Sequence, residues 1–183
     1  DWLLPGRHNA NNALAAVAAA AHAGVAPAQA LASLARFRGV KRRLELLGEV
    51  AGVTLYDDFA HHPTAIAATL GALRARGCRG RVLALVEPRS NTMRMGKHRE
   101  ALAASVADAD RVYWYQPPGM DWSLEDVAAA GTAPASVCDD VERLVATVVG
   151  EAQQGDQIVI MSNGSFAGIH QRLLGALQAA QGE

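Results

Sequence analysis

The chain has 183 residues, half of them hydrophobic, with 17 basic and 18 acidic side chains and a net charge of −1 at pH 7. That length holds one domain and a remainder, at about 150 residues per domain, with apolar surface enough for a sizeable core. Near neutrality excludes a chain drawn to nucleic acid or to an anionic membrane by its overall charge.

The apolar half is mostly Ala, Val and Leu with few aromatics, which suits closely packed helices and parallel strands. Cys78 and Cys138 stand far apart in no metal-like spacing, so a disulfide framework or structural zinc is not expected and a reducing cytoplasm is. No apolar run reaches transmembrane length, and the start, Asp1 to Arg7, has no signal-peptide organisation. It also has no initiator Met, which sets the expectation of a fragment of a longer chain.

Two Ala-rich helices are expected first. One runs from about Asn9 to Ala23 and stops at Gly24, the residue favoured just past a helix end. The second runs from Pro27, which a first helical turn tolerates, to Phe37. A basic connector follows, with Arg36, Arg38, Lys41, Arg42 and Arg43 close together. Leu44–Val50 and Val53–Phe59 then read as a strand pair around a tight Ala51-Gly52 turn. Pro63–Arg76 is helical, with Ile66, Leu70 and Leu73 on one face. Arg81–Val86 is a nearly all-apolar strand, the mark of a sheet covered on both faces. Helix His98–Ala107, strand Arg111–Tyr115, helix Asp139–Ala152, strand Gln157–Met161 and helix Phe166–Ala180 complete the order. This alternation predicts an α/β fold with a doubly wound, mostly parallel sheet. Ligands collect at the carboxyl ends of such strands, where 57–63, 87–96 and 162–168 would lie.

Five groups could carry chemistry. Asn9 and Asn12, after His8, share one helix face and can read a purine edge, although one Asn could simply cap the helix. An Arg of the connector could pair with phosphate, or the connector could be a solvated loop. Asp57, Asp58, His61 and His62 could bind a metal, or a carboxylate could take a ribose while a His caps the next helix. Glu87, Arg89, Ser90, Asn91 and Arg94 mix charges as a zwitterionic peptide would require, or form a plain polar turn. Ser162, Asn163, Gly164 and Gly168 could offer backbone N–H groups to an anion, or serve only as a tight turn. The chain contains no P-loop pattern.

Taken in order, these groups resemble the Mur ligase family. His8-Asn9 through Asn12 is similar to its HNxxN element, 39–45 to the segment joining its central and C-terminal domains, and 56–64 to the acidic motif that follows. Glu87 to Met93 resembles the branch that joins a whole peptide, rather than a single amino acid, to its acceptor. Arg94 stands where that pattern has Lys, and Ser165 and Ala167 where it has Gly.

The resemblance implies a Rossmann-like C-terminal domain over 39–183, preceded by a helical tail of the central ATPase domain over 1–38. It implies an ATP- and Mg²⁺-dependent cytoplasmic enzyme joining UDP-N-acetylmuramate to L-alanyl-γ-D-glutamyl-meso-diaminopimelate, in cell-wall recycling. His8, Asn9, Asn12, Arg43 and Asp58 would contact ATP. Arg89, Ser90, Asn91, Ser162, Asn163 and Gly164 would contact the peptide, with His61 and His62 in support. The P-loop Lys and the Mg²⁺ ligands would lie in upstream domains, leaving this segment without turnover of its own. Other members of the family, a free-standing nucleotide- or peptide-binding module, and a metal-dependent hydrolase built on Asp57, Asp58, His61 and His62 are the competing expectations.

Overall fold

The computed structural model describes residues 4, 6–77, 80–89 and 98–180. Helices α1 (Arg7–His22) and α2 (Pro27–Leu34) come first. They are followed by β1 (Glu45–Val50), β2 (Val53–Asp58), α3 (Pro63–Ala75), β3 (Val82–Glu87) and α4 (Arg99–Ser105). Strand β4 (Arg111–Tyr115), α5 (Glu125–Ala130), β5 (Ala135–Cys138), α6 (Val141–Glu151), β6 (Gln157–Ser162) and α7 (Ile169–Ala180) complete the chain.

The sheet has six strands in the order β1-β2-β6-β3-β4-β5. Strands β2 to β6 are parallel to their neighbours, and β1 joins β2 antiparallel as a hairpin. Its turn places Ala51 and Gly52 at φ 58° and 73°, the backbone that lets a two-residue loop follow the strand twist. Every residue of β3 is buried, because helices cover both faces. Ile66, Leu70, Leu102 and Val127 from α3, α4 and α5 fill one side. Leu144, Val148, Ile169 and Leu173 from α6 and α7 fill the other. Strand β6 is last in sequence yet lies between β2 and β3. The ends of β2, β6 and β3 are therefore neighbours, and the described residues that follow them leave the sheet from one rim.

Several sequence expectations need correction. No Asn caps α1: its N-cap is Gly6 at φ 93°, with no side-chain capping bond, so His8 and Asn9 already sit in the first turn. Likewise His62 is the N-cap residue of α3 but makes no side-chain cap bond. Helix α2 ends at Leu34 rather than Phe37. Residues 166–168 form a separate 3₁₀ turn in which Phe166 and Ala167 take φ 46° and 48°, so the last helix begins at Ile169. Helix α5 and strand β5 were not anticipated.

At the opposite end of the sheet, Tyr113 donates to Glu151 at 2.8 Å and Arg111 reaches the same carboxylate at 3.1 Å. Burial, and then the Glu151 carboxylate, push the Tyr113 hydroxyl up to about 12 from 10.0. Between those values the folded chain holds a proton that the unfolded chain has lost. This contribution to stability is therefore complete below pH 10.0 and is lost as pH rises toward about 12. Replacing Glu151 by Gln should bring the ionisation of Tyr113 down, read from phenolate absorbance of the folded protein. An unmoved midpoint would remove Glu151 as a cause.

Candidate functional site

A cavity of about 750 Å³ lies between α1, the connector and the start of α3. It is walled by His8, Asn9, Asn12, Arg43, Asp58 and His62, with alanines of α1 and α3 between them. All five residues assigned to ATP from the sequence thus meet in one place, although they are spread over fifty positions. The volume is in the range of small-ligand sites, roughly 300–1,000 Å³. Helix α1 reaches α3 closely: a Cβ on Gly6 would stand 2.8 Å from that of Ala72 and 2.7 Å from the His8 ring.

Asp58 is 4% exposed and organises the backbone around this cavity. Its carboxylate accepts from Leu44 N and Ala60 N, each at 2.7 Å. Burial raises its pKa above the ordinary 3.8, opposed by those two amides, the Arg43 charge and Thr69. His62 closes the cavity beside α3, its ring 4.9 Å from that of His98. His61 turns away, its Nδ1 2.9 Å from Phe59 O.

The connector is tied to the rim by a residue the sequence did not single out. The Arg42 guanidinium bonds Asp57 at 3.2 Å, Ser162 O at 2.6 Å and Gly164 O at 3.0 Å. The other Asp57 oxygen lies 3.0 Å from His170 Nε2 on α7. Arg42 and Leu44 both adopt left-handed φ, 58° and 49°, a conformation that costs about 1–2 kcal/mol in a residue with a Cβ. The Glu45 carboxylate holds the first through Arg42 N at 2.8 Å, and Asp58 holds the second. One Arg among five neighbouring cations carries no sequence signal of this kind; only the geometry picks it out.

Beyond Arg42 lies the second group. Arg89 is exposed at the end of β3 and lies across Gly164: a Cβ on that glycine would come 2.6 Å from Arg89 Nη1 and 2.9 Å from its Cδ. Ser162 is wholly buried, donating to Glu87 at 2.5 Å and accepting from Gly164 N at 2.8 Å. It thus supports the loop from beneath and does not face solvent. Glu87 is likewise buried against Ser162, so its carboxylate does not face a ligand at the surface. Asn163 keeps a buried Oδ1 without a hydrogen-bond partner among the described residues. Ser90 and Asn91 lie outside the described residues.

The metal reading is not supported by these contacts. Asp57 is turned to Arg42 and His170, Asp58 to backbone amides, and the described residues hold no group of three or more potential metal ligands. The described residues do not fit a Mg²⁺ site. No helix among the described residues is long and apolar enough to cross a membrane.

The mostly parallel sheet thus carries, at one rim, a cavity of small-ligand size and a loop covered by Arg89. Residues 42–164 match the model of the Mur ligase, glutamate ligase domain, and the chain belongs to the Mur ligase family. It is 54% identical over 177 residues to the UDP-N-acetylmuramate–L-alanyl-γ-D-glutamyl-meso-2,6-diaminoheptandioate ligase of Escherichia coli (strain K12), covering 96% of this chain and 39% of that relative. A crystal structure of a murein peptide ligase from Psychrobacter arcticus superposes with a TM-score of 0.79 at 46% identity, covering 97% of this chain and 38% of that one. A crystallised domain of a Haemophilus ducreyi protein is 50% identical with a TM-score of 0.64, covering 74% of this chain and 99% of that domain. The chain therefore spans about two fifths of the length of its full-length relatives.

Proposed function

We propose that this chain is the C-terminal part of a cytoplasmic, ATP-dependent ligase that joins UDP-N-acetylmuramate to L-alanyl-γ-D-glutamyl-meso-diaminopimelate in peptidoglycan recycling. The observation that carries the reading is the convergence of His8, Asn9, Asn12, Arg43 and Asp58 on one cavity, beside a rim where Arg89 covers Gly164. Residues 1–38 are the tail of the ATPase domain and 39–183 the C-terminal domain. In support, among the described residues every strand lies after residue 44, and the matching domain from Haemophilus ducreyi crystallised as a separate piece.

A carboxylate is a poor electrophile, so ATP transfers its terminal phosphoryl group to the muramoyl carboxylate, releasing ADP and leaving an acyl phosphate. The peptide amine attacks the acyl carbon, the C–N bond forms, and phosphate leaves with the electrons of the C–O bond while the nitrogen loses a proton. The part of this chain is to position. Asn9 and Asn12 offer donors and acceptors to the adenine; Arg43 offers paired, charge-assisted hydrogen bonds to phosphate. Asp58 presents its remaining acceptor capacity to the ribose, and Arg89 holds a peptide carboxylate. Such placement of two reactants is a large part of rate enhancement. The Mg²⁺ and the P-loop Lys belong to the rest of the protein.

The purified chain alone should neither hydrolyse ATP nor form the amide, measured by phosphate release and product chromatography. In the full-length protein, Asn12→Ala should raise the KM for ATP about tenfold, the loss of one or two hydrogen bonds, and leave the KM for the tripeptide unchanged. Equal changes in both would remove Asn12 from the nucleotide contacts. Supplying L-alanine in place of the tripeptide separates the branches of the family: efficient use of free L-alanine would favour a single-amino-acid ligase.

A further inference from the structure

A second cavity of about 740 Å³ opens toward the amino ends of the parallel strands and adjoins the nucleotide cavity across Leu4, Val40, Arg43 and Leu44. The lining includes Arg38, Lys41, Arg43 and Arg76, against Glu45 as its carboxylate. Glu45 is already engaged by Arg42 N at 2.8 Å. Among the described residues Arg38, Lys41 and Arg76 form no ion pair. Three uncompensated cations around one concave space raise its potential and concentrate anions there. Arg76 is the C-cap of α3, where its charge offsets the negative helix end that would otherwise repel an anion. The lining residue Gln157 adds a buried Oε1 with no hydrogen-bond partner among the described residues, an acceptor for a hydroxyl or amine.

We propose that this cavity binds a small polyanion, a molecule carrying two phosphate groups, beside the nucleotide cavity rather than in it. Arg38 and Arg76 face the phosphates from the connector and from α3, so the ligand bridges the two. Val40, Arg43 and Leu44 line both cavities. A ligand that draws Arg43 toward the second cavity takes it from the first, and by linkage the two sites oppose each other equally. This inference stands on the charge and shape of the second cavity and does not require the peptide assignment.

The test is calorimetry on the full-length protein, with a non-hydrolysable ATP analogue saturating the nucleotide cavity. Pyrophosphate should still bind at one site, a few-fold more weakly than without the analogue because the two sites oppose each other, and binding should weaken further with salt. A hexose bisphosphate run in parallel distinguishes the source: tighter binding of the sugar assigns a phosphorylated metabolite, tighter binding of pyrophosphate a free polyphosphate. The double variant Arg38→Glu with Arg76→Glu should weaken both probes about tenfold or more and leave affinity for the analogue in the absence of probe unchanged. Lys41→Glu alone, a milder change at an exposed position, should weaken them in the same direction. Probe binding that is unaltered in these variants, or that disappears when the analogue saturates, overturns the proposal. So does binding by the isolated chain that the full-length protein lacks.

Discussion

Replacing Arg89 by Ala in the full-length protein should raise the KM for the tripeptide about ten- to hundredfold, while the KM for ATP stays within about twofold of its original value. A bidentate guanidinium–carboxylate pair is worth roughly 1.5–3 kcal/mol, and each 1.4 kcal/mol is about tenfold in affinity. The nucleotide cavity should be spared because Arg89 is not among its walls. Gly164→Ala is a companion test that removes no charge. Its methyl group would need the space of Arg89 Nη1 and Cδ, 2.6 and 2.9 Å from the ideal Cβ, so the guanidinium must swing away. It should reproduce part of the Arg89→Ala effect on the peptide. Steady-state kinetics with each substrate varied in turn checks both, and a rise in both KM values by the same factor would contradict the assignment.

Gly80→Ala should destabilise the folded chain by about 3 kcal/mol or more, the scale of a backbone overlap that cannot relax by rotating a side chain. The new Cβ would overlap the carbonyl oxygen of Gly155. Little can give way there. Gln157 N donates to Arg81 O at 2.8 Å and Gly155 N to Gly52 O at 2.8 Å. The Arg81 guanidinium grips Asp156 through two bonds of 3.0 and 2.6 Å. Together these bonds join the amino ends of β2, β6 and β3. Gly150→Ala is the control: nothing lies within 4 Å of its Cβ and it sits inside α6, so the change should stabilise by about 0.5–1 kcal/mol. Urea midpoints read both changes, and a Gly80→Ala protein as stable as the control would show that this crossing is not tightly held.

The sheet was readable where burial makes runs of one kind. Strands β3 and β6 announce themselves as apolar stretches, and Ala51-Gly52 marks the hairpin. Helix α5 and strand β5 escaped because six and four residues are too few to display a period. The insertion of β6 between β2 and β3 was also hidden, since strand order is decided by packing between distant segments. At the site, the family resemblance groups Arg43 and Asp58, and the structure places both at the cavity beside α1, with Arg89 over Gly164 outside it. Arg42 did not stand out, because adjacent guanidinium groups are alike in sequence and differ only in what they reach. The Asn-cap reading failed because Gly6, free to take φ 93°, starts the helix earlier.

The Arg42 guanidinium has a mechanical consequence. It grips the carbonyls of Ser162 and Gly164 from the connector while Asp57 steadies it from β2, and Gly164 is the platform under Arg89. A torsion of the connector is therefore transmitted as displacement of that platform, like a lever working a latch. Slack introduced at Arg42 would therefore loosen the Gly164 platform from the connector while leaving every wall of the cavity beside α1 in place.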